Sequence, residues 1–546
     1  MNSRHRHGLA VLFVIPVILT AALWAQDVAA PEHQGYPQDW SDHSVVFSLD
    51  GLLRNPDLMN QEPRIAHQFQ QRFQPRAANF WIGMEYGSQP DAGSAGWTVN
   101  FVRGHVAVSS YPAKYTFDPS APPSCTSDYV VFALDTASAV GGQANVVGLN
   151  NLYAGSNPTG ICSGSAPNVM FAYSTTTVTG GHPVGSPVIS LDGTKIAFVE
   201  SVGTASVFHV VKWASGKGQI EKAVAPSSMT SLTYSANATT TSSPWVDYRA
   251  DVAYISDDKG VMYKISPVFG PGTPALVKTS PWPIQVAATR LTPPVLDRQQ
   301  GYLIAGGRNG DLYEINISTG AAAALIVGTH SGVNSSILAP PIVDLTNGTI
   351  FVVSSNANGG ASAVLEQVHE NNFQPMATAN IGLGSTGGTA VDIYQPALSN
   401  GYYTNPADGF IYTCGTGPTD TTPWQYSFGF TGIFMSTVPA SKAQLLTSTA
   451  AICTPWTEFF NPNIGANGTD LFFFGLTQDC TTTGTAGGCV AEITSASSTP
   501  TFANVANGPS GIIVDNYSTA AQAANVYFSG EGSNRNGYRF SQNGLQ

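Results

Sequence analysis

Two histidines, an arginine, two carboxylates and two aromatic residues stand at matching places along this 546-residue chain. They are His182, Arg290, His330, Asp392 with Tyr394, and Trp456 with Glu458, each set ahead of a recurring proline. Brought to one mouth, side chains of these types would line a polar funnel with aromatic surface, suited to a glycan or a peptide. Asp392 and Glu458 are also the pair from which acid–base chemistry on a polysaccharide would be built. Linear spacing leaves the distance between the two carboxyls open. The bland alternative is that all seven are unrelated surface-loop residues.

Whether these residues meet depends on the elements between them. Thr292–Gly320 reads TPPVLDRQQGYLIAGGRNGDLYEINISTG: three short apolar runs split by turn-forming Asp, Asn, Gly and Ser-Thr-Gly. This is an antiparallel meander and not a βαβ unit. A single meander cannot bury both faces, so it needs neighbours of its own kind. Copies recur from Gly96 onward, each opened by a proline: Pro112, Pro187, Pro244, Pro294, Pro341, Pro396, Pro462 and Pro509. A period near about fifty residues with three or four strands per unit predicts an all-β propeller. Eight phases predict eight blades, with seven as the alternative if Pro112 marks an appended hairpin. The last phase ends after its third strand, so its fourth strand must come from elsewhere, and Val99–Val108 is the nearest donor. In this geometry the loops ahead of each first strand gather at one end of the central channel, where the residues named above would lie.

Charged residues are only 10% of the chain, and Gly, Ser, Thr and Asn take their place. A net charge of −12 argues against nucleic acid or an anionic membrane as partner, because both call for basic patches. The N-terminus reads as a secretory signal over residues 1–25: Arg4 to His7 is basic, and Leu9 to Trp24 is an apolar core. No later apolar run is long enough to span a membrane. The expected product is an exported monomer, secreted or periplasmic. Residues 26–95 predict an irregular, loosely attached linker, and 96–546 the propeller.

Six cysteines suit an oxidising compartment, and none forms a CxxC pair. Blade geometry pairs them by face: Cys125 with Cys162, Cys414 with Cys453, and Cys480 with Cys489. Asp247, Asp297 and Asp344 each stand three residues after their proline, which hints at a ring of carboxylates. An Asp at a strand-to-turn junction, however, reads first as an Asx-turn acceptor. Asp257-Asp258-Lys259-Gly260 lacks the alternating oxygen ligands of a calcium loop and reads as a hairpin turn. No G-x-S-x-G, P-loop or H-E-x-x-H motif occurs, and no metal-ligand set is predicted.

Ser186–Ser201, SPVISLDGTKIAFVES, resembles the repeat of TolB-type propellers. Ser242–Ile265 and Thr292–Gly320 are similar to the repeats of quinoprotein dehydrogenases and of outer-membrane assembly propellers. The likeness implies a propeller fold and covers about half of the mature chain. The quinoprotein likeness also raises a dehydrogenase using PQQ and Ca²⁺. Here Thr319-Gly320 is followed by alanines and not by a blade-docking tryptophan, and no vicinal Cys pair occurs, so no cofactor is expected. The reading is a non-enzymatic binder of a protein or glycan; a polysaccharide-acting enzyme and a degenerate quinoprotein are the alternatives.

Overall fold

The computed structural model describes residues 35–541 except 74–93, 120, 156–159, 204, 330–336, 358–361, 385–390, 450, 463, 465–466, 481–486, 496 and 516–523. The signal-peptide segment 1–25 and His330 therefore lie outside the described residues.

Thr292–Gly320 builds the predicted meander. Val295–Asp297, Tyr302–Gly306 and Asp311–Asn316 pair antiparallel in that order, and Ala322–Ile326 adds a fourth strand outside them. Gly310, at φ +89°, makes the turn between the second and third strands. Eight such sheets form the chain into an eight-bladed β-propeller. Their innermost strands are Ala113–Thr116, Val188–Ile189, Trp245–Asp247, Val295–Asp297, Ile342–Asp344, Ala397–Leu398, Thr457–Asn461 and Ile513–Asp515, numbered here as blades 1 to 8. Inner strands of successive blades pack side by side.

Position in the blade explains the sequence pattern. Second strands, covered by a neighbouring blade on each face, are mostly apolar; VAYIS in blade 3 is buried at all five positions. Outermost strands face water, and AAALI in blade 4 is largely exposed.

The ring closes through the N-terminal side, as its missing strand demanded, but on a different segment. Ser94–Asn100, not Val99–Val108, pairs antiparallel with Asn536–Ser541 as the outer strand of blade 8. The strand cannot run on, because Val102 adopts φ +66° and Ser109 φ +56°, which turns the chain towards blade 1. Trp97 locks the closure: it is buried, donates from Nε1 to the Leu152 carbonyl of blade 1 at 3.0 Å, and meets Tyr527 of blade 8. Pro462 also proves to be a false blade marker. The inner strand of blade 7, Thr457–Asn461, lies upstream of it, and Pro462, lacking an N–H, follows its end.

Of the segment expected to be loosely attached, residues 35–73 are instead part of the core, while 26–34 and 74–93 lie outside the described residues. Gly35–Gln546 forms one unit, and residues 35–73 fill the channel. Tyr36–Gln38 pairs antiparallel with the inner strand of blade 1. A single turn, Trp40–His43, capped by Asp39, reverses the chain, and Val45–Val46 runs parallel to the inner strand of blade 5. Three short helices follow: α1 (Leu49–Arg54), α2 (Asp57–Gln61) and α3 (Pro63–Phe73). Two buried arginines fasten α3. Arg64 donates to Ser41 Oγ at 2.7 Å and to the Val246 carbonyl at 3.0 Å, with its guanidinium 4.1 Å from the centre of the Trp245 ring in blade 3. Arg72 makes a two-pronged contact with Glu458 of blade 7 and lies 3.6 Å over Tyr403. Blades 1 and 5, and blades 3 and 7, stand opposite each other in an eight-bladed ring. The segment thus reaches four blades a quarter-turn apart.

The recurring aspartates are turn acceptors and also links between blades. One oxygen of each accepts backbone N–H groups: Ala250 on Asp247, Gln300 on Asp297, and Thr346 on Asp344, at 2.9–3.0 Å. The rest of each carboxylate meets the next blade. Asp247 pairs with Arg298 and Asp344 accepts from Tyr402 at 2.6 Å. Asp515 lies 3.0 Å from Lys114 of blade 1. Asp297 differs, because its counterpart is another acid, Glu370 of blade 5.

All three disulfides join the expected partners: Cys125–Cys162, Cys414–Cys453 and Cys480–Cys489. Among the described residues no helix is long and apolar enough to cross a membrane.

Candidate functional site

The loops between blades gather four of the sequence candidates. His182, Arg290, Asp392 and Tyr394 line one open cavity of about 440 Å³ at the end of the channel. The floor comes from Trp40 of the channel segment and Tyr111, which is stacked on His43 at 5.2 Å. These rings are 2% and 4% exposed, so the cavity is closed from below.

His182 and Arg290 are each held by a carboxylate. His182 lies 2.5 Å from Asp135, and that hydrogen bond raises its pKa above the ordinary histidine value. The loop carrying it is pinned by buried Glu200, which accepts from Thr177 N, Val178 N and His209. Arg290 makes a forked pair with Asp258, at 2.9 Å from Nε and 3.1 Å from Nη2. The Arg290 carbonyl in turn accepts from the backbone N–H of Arg308 at 2.9 Å. Asp392 is partly buried; burial pushes its carboxyl up, against the opposing pull of Arg308. Burial likewise raises the Tyr394 phenol. Gln395 anchors the loop of Asp392 and Tyr394 to the channel segment, donating to Ser44 Oγ at 2.9 Å and the His43 carbonyl at 3.2 Å.

Trp456 and Glu458 are elsewhere. Trp456 is 1% exposed and stacks on Phe474, with centroids 4.1 Å apart and planes 3° from parallel. Glu458 lies inside the channel on Arg72, and both line a separate cavity of about 60 Å³ with His43 and His67. That cavity shares no lining residue with the mouth. Asp392 and Glu458 are therefore not brought together as an acid–base pair. Strand alternation accounts for this: from Trp456 onward the chain is already entering the inner strand, not the loop.

Sequence reasoning missed Arg308, Asp135, Trp40 and Tyr111. Arg308 and Asp135 lie in loops between second and third strands, which share a face with the loops ahead of first strands, so that rule alone would have found them. Trp40 carried no signal, since its segment has no place in the repeat. Among the described residues no three His, Cys, Asp or Glu side chains converge as a metal-binding group.

No family model matches the chain, and no curated protein matches its sequence. Several solved structures resemble it in shape. BamB from Moraxella catarrhalis is 11% identical with a TM-score of 0.43, over 82% of this chain and 99% of that one. The Dos1 propeller is 11% identical with a TM-score of 0.47, over 83% and 96%. A chain of the mitotic checkpoint complex is 8% identical with a TM-score of 0.39, over 72% and 95%.

Proposed function

We propose that this protein is an exported, non-enzymatic binding scaffold whose partner docks in the cavity at the mouth of the plugged channel. The observation that carries this reading is the cavity itself: about 440 Å³, within the range of ligand sites, with His182, Arg290, Arg308, Asp392 and Tyr394 around it. A rigid ring with the site on its connecting loops suits recognition, because loops carry specificity while blades hold their positions. Export is supported by the basic and apolar N-terminal stretch and by three disulfides that leave no free cysteine among the described residues. The catalytic reading lacks support, because the carboxylates it required occupy different cavities.

The test uses the mature chain from residue 26 on peptide and glycan arrays, beside Val108→Trp. Val108 lines the cavity and is 61% exposed, so a larger side chain obstructs the mouth without disturbing the core. Binding that Val108→Trp abolishes supports the site; binding that survives it unchanged rules the cavity out.

A further inference from the structure

We propose that the cavity takes the C-terminal end of a polypeptide, with its free carboxylate on Arg308 and its apolar last side chain against the wall; this rests on the cavity being the binding site. Three observations converge on it.

The first is charge. The chain carries −12 overall, yet two arginines and a histidine line this one mouth. His182 and Arg290 are already matched by Asp135 and Asp258. Arg308 is different: it is exposed at the rim, and its guanidinium makes no hydrogen bond or ion pair with any described residue. Asp392 acts on it only through space, and burial favours the neutral form of that carboxyl. An uncommitted guanidinium presents a planar fork of N–H donors that fits a carboxylate in two places at once.

The second is shape. Trp40 and the rest of the channel segment close the floor, so a chain can enter but cannot pass through. A blind cavity selects an end, and the end of a polypeptide that bears a carboxylate is its C-terminus.

The third is the wall. Val108, Val184 and Leu338, with Pro293 and Pro340, are at least partly exposed in it and give it an apolar character that suits an apolar terminal side chain. The rings of Trp40 and Tyr111 at the floor are buried and Tyr394 is the one lining aromatic that is partly exposed, so little ring face is offered for stacking a sugar, and an acidic saccharide fits less well.

The experiment presents short peptides ending in Leu, Val or Phe, each as free acid and as amide, beside uronate oligosaccharides. The protein is the mature chain, its Arg308→Ala and Asp392→Asn variants, and Val108→Trp. Free-acid peptides are expected to bind, and amidation or Arg308→Ala to weaken binding by about tenfold or more. Asp392→Asn, which takes away a carboxyl that competes for Arg308, is expected to tighten it. Equal binding of acids and amides, loss of binding in Asp392→Asn, capture of uronates alone, or no peptide binding would each overturn the proposal. The broader cavity reading fails separately, if whatever binds is indifferent to Val108→Trp.

Discussion

Replacing Glu370 by Gln should make the ring more stable at neutral pH, although it alters a fully buried residue. Glu370 and Asp297 are 1% and 2% exposed and meet across the seam between blades 4 and 5. Asp344 and Glu314 add negative charge nearby, and neither Glu370 oxygen has a hydrogen-bond donor. Burial, with Asp297 next, pushes the Glu370 carboxyl up to about 10 from 4.5. Two carboxyls in such a place share a proton. The folded protein must therefore keep a proton that the unfolded chain gives up above its own pKa. The contribution of this group to stability is complete below about pH 4.5 and is lost progressively as pH rises towards 10. At pH 7, some 2.5 units above 4.5, the cost is about 3 kcal/mol at about 1.36 kcal/mol per unit, as an upper bound. Glutamine supplies an N–H to Asp297 without needing the proton. Calorimetric melts of wild type and Glu370→Gln between pH 4.5 and 8 test this. The two should coincide near pH 4.5 and separate as pH rises, with the variant higher. If the variant melts lower at pH 7, or the gap does not change with pH, the shared-proton argument is wrong.

Two further tests concern the channel and the closure. Arg72→Met leaves Glu458 buried without its cation and should cost about 3–5 kcal/mol in denaturant unfolding, most of it restored in Arg72→Met with Glu458→Gln. A double variant no better than the single one would mean the pair does not hold α3. Deleting residues 35–110 removes both the closing strand and the channel segment, and should abolish cooperative melting of the ring. A deletion protein that melts like the full chain would remove both roles.

Much of the ring was legible because burial on two faces favours unbroken apolar runs in the second strands, as in IAFV at Ile196 and LFFFGL at Leu471. Blade 7 was misplaced because its inner strand, TEFFN, carries a glutamate that reads as a loop residue until Arg72 is seen beside it. The channel segment was illegible for a related reason. Its Gln, Arg and His residues look solvated in sequence, yet Arg64, His67 and Gln68 are buried among polar groups of the channel wall and of the segment itself. At the mouth, His182, Arg290, Asp392 and Tyr394 could be placed from loop position alone. Glu458 could not, since it lies only two residues beyond Trp456 but already within a strand.

The channel segment also sets the order in which the molecule can be completed. Residues 35–73 are made before any blade, yet two of their anchors, Glu458 for Arg72 and the Val514 carbonyl for Gln38, are made after more than four-fifths of the chain. The strand that closes blade 8 must likewise wait for Asn536–Ser541. During synthesis the earliest segment therefore has no finished seat, and seating it and sealing the ring become a single late step. Such a chain gains little from folding blade by blade, and a product cut short after blade 6 would lack both the anchor of Arg72 on α3 and the partner of Ser94–Asn100.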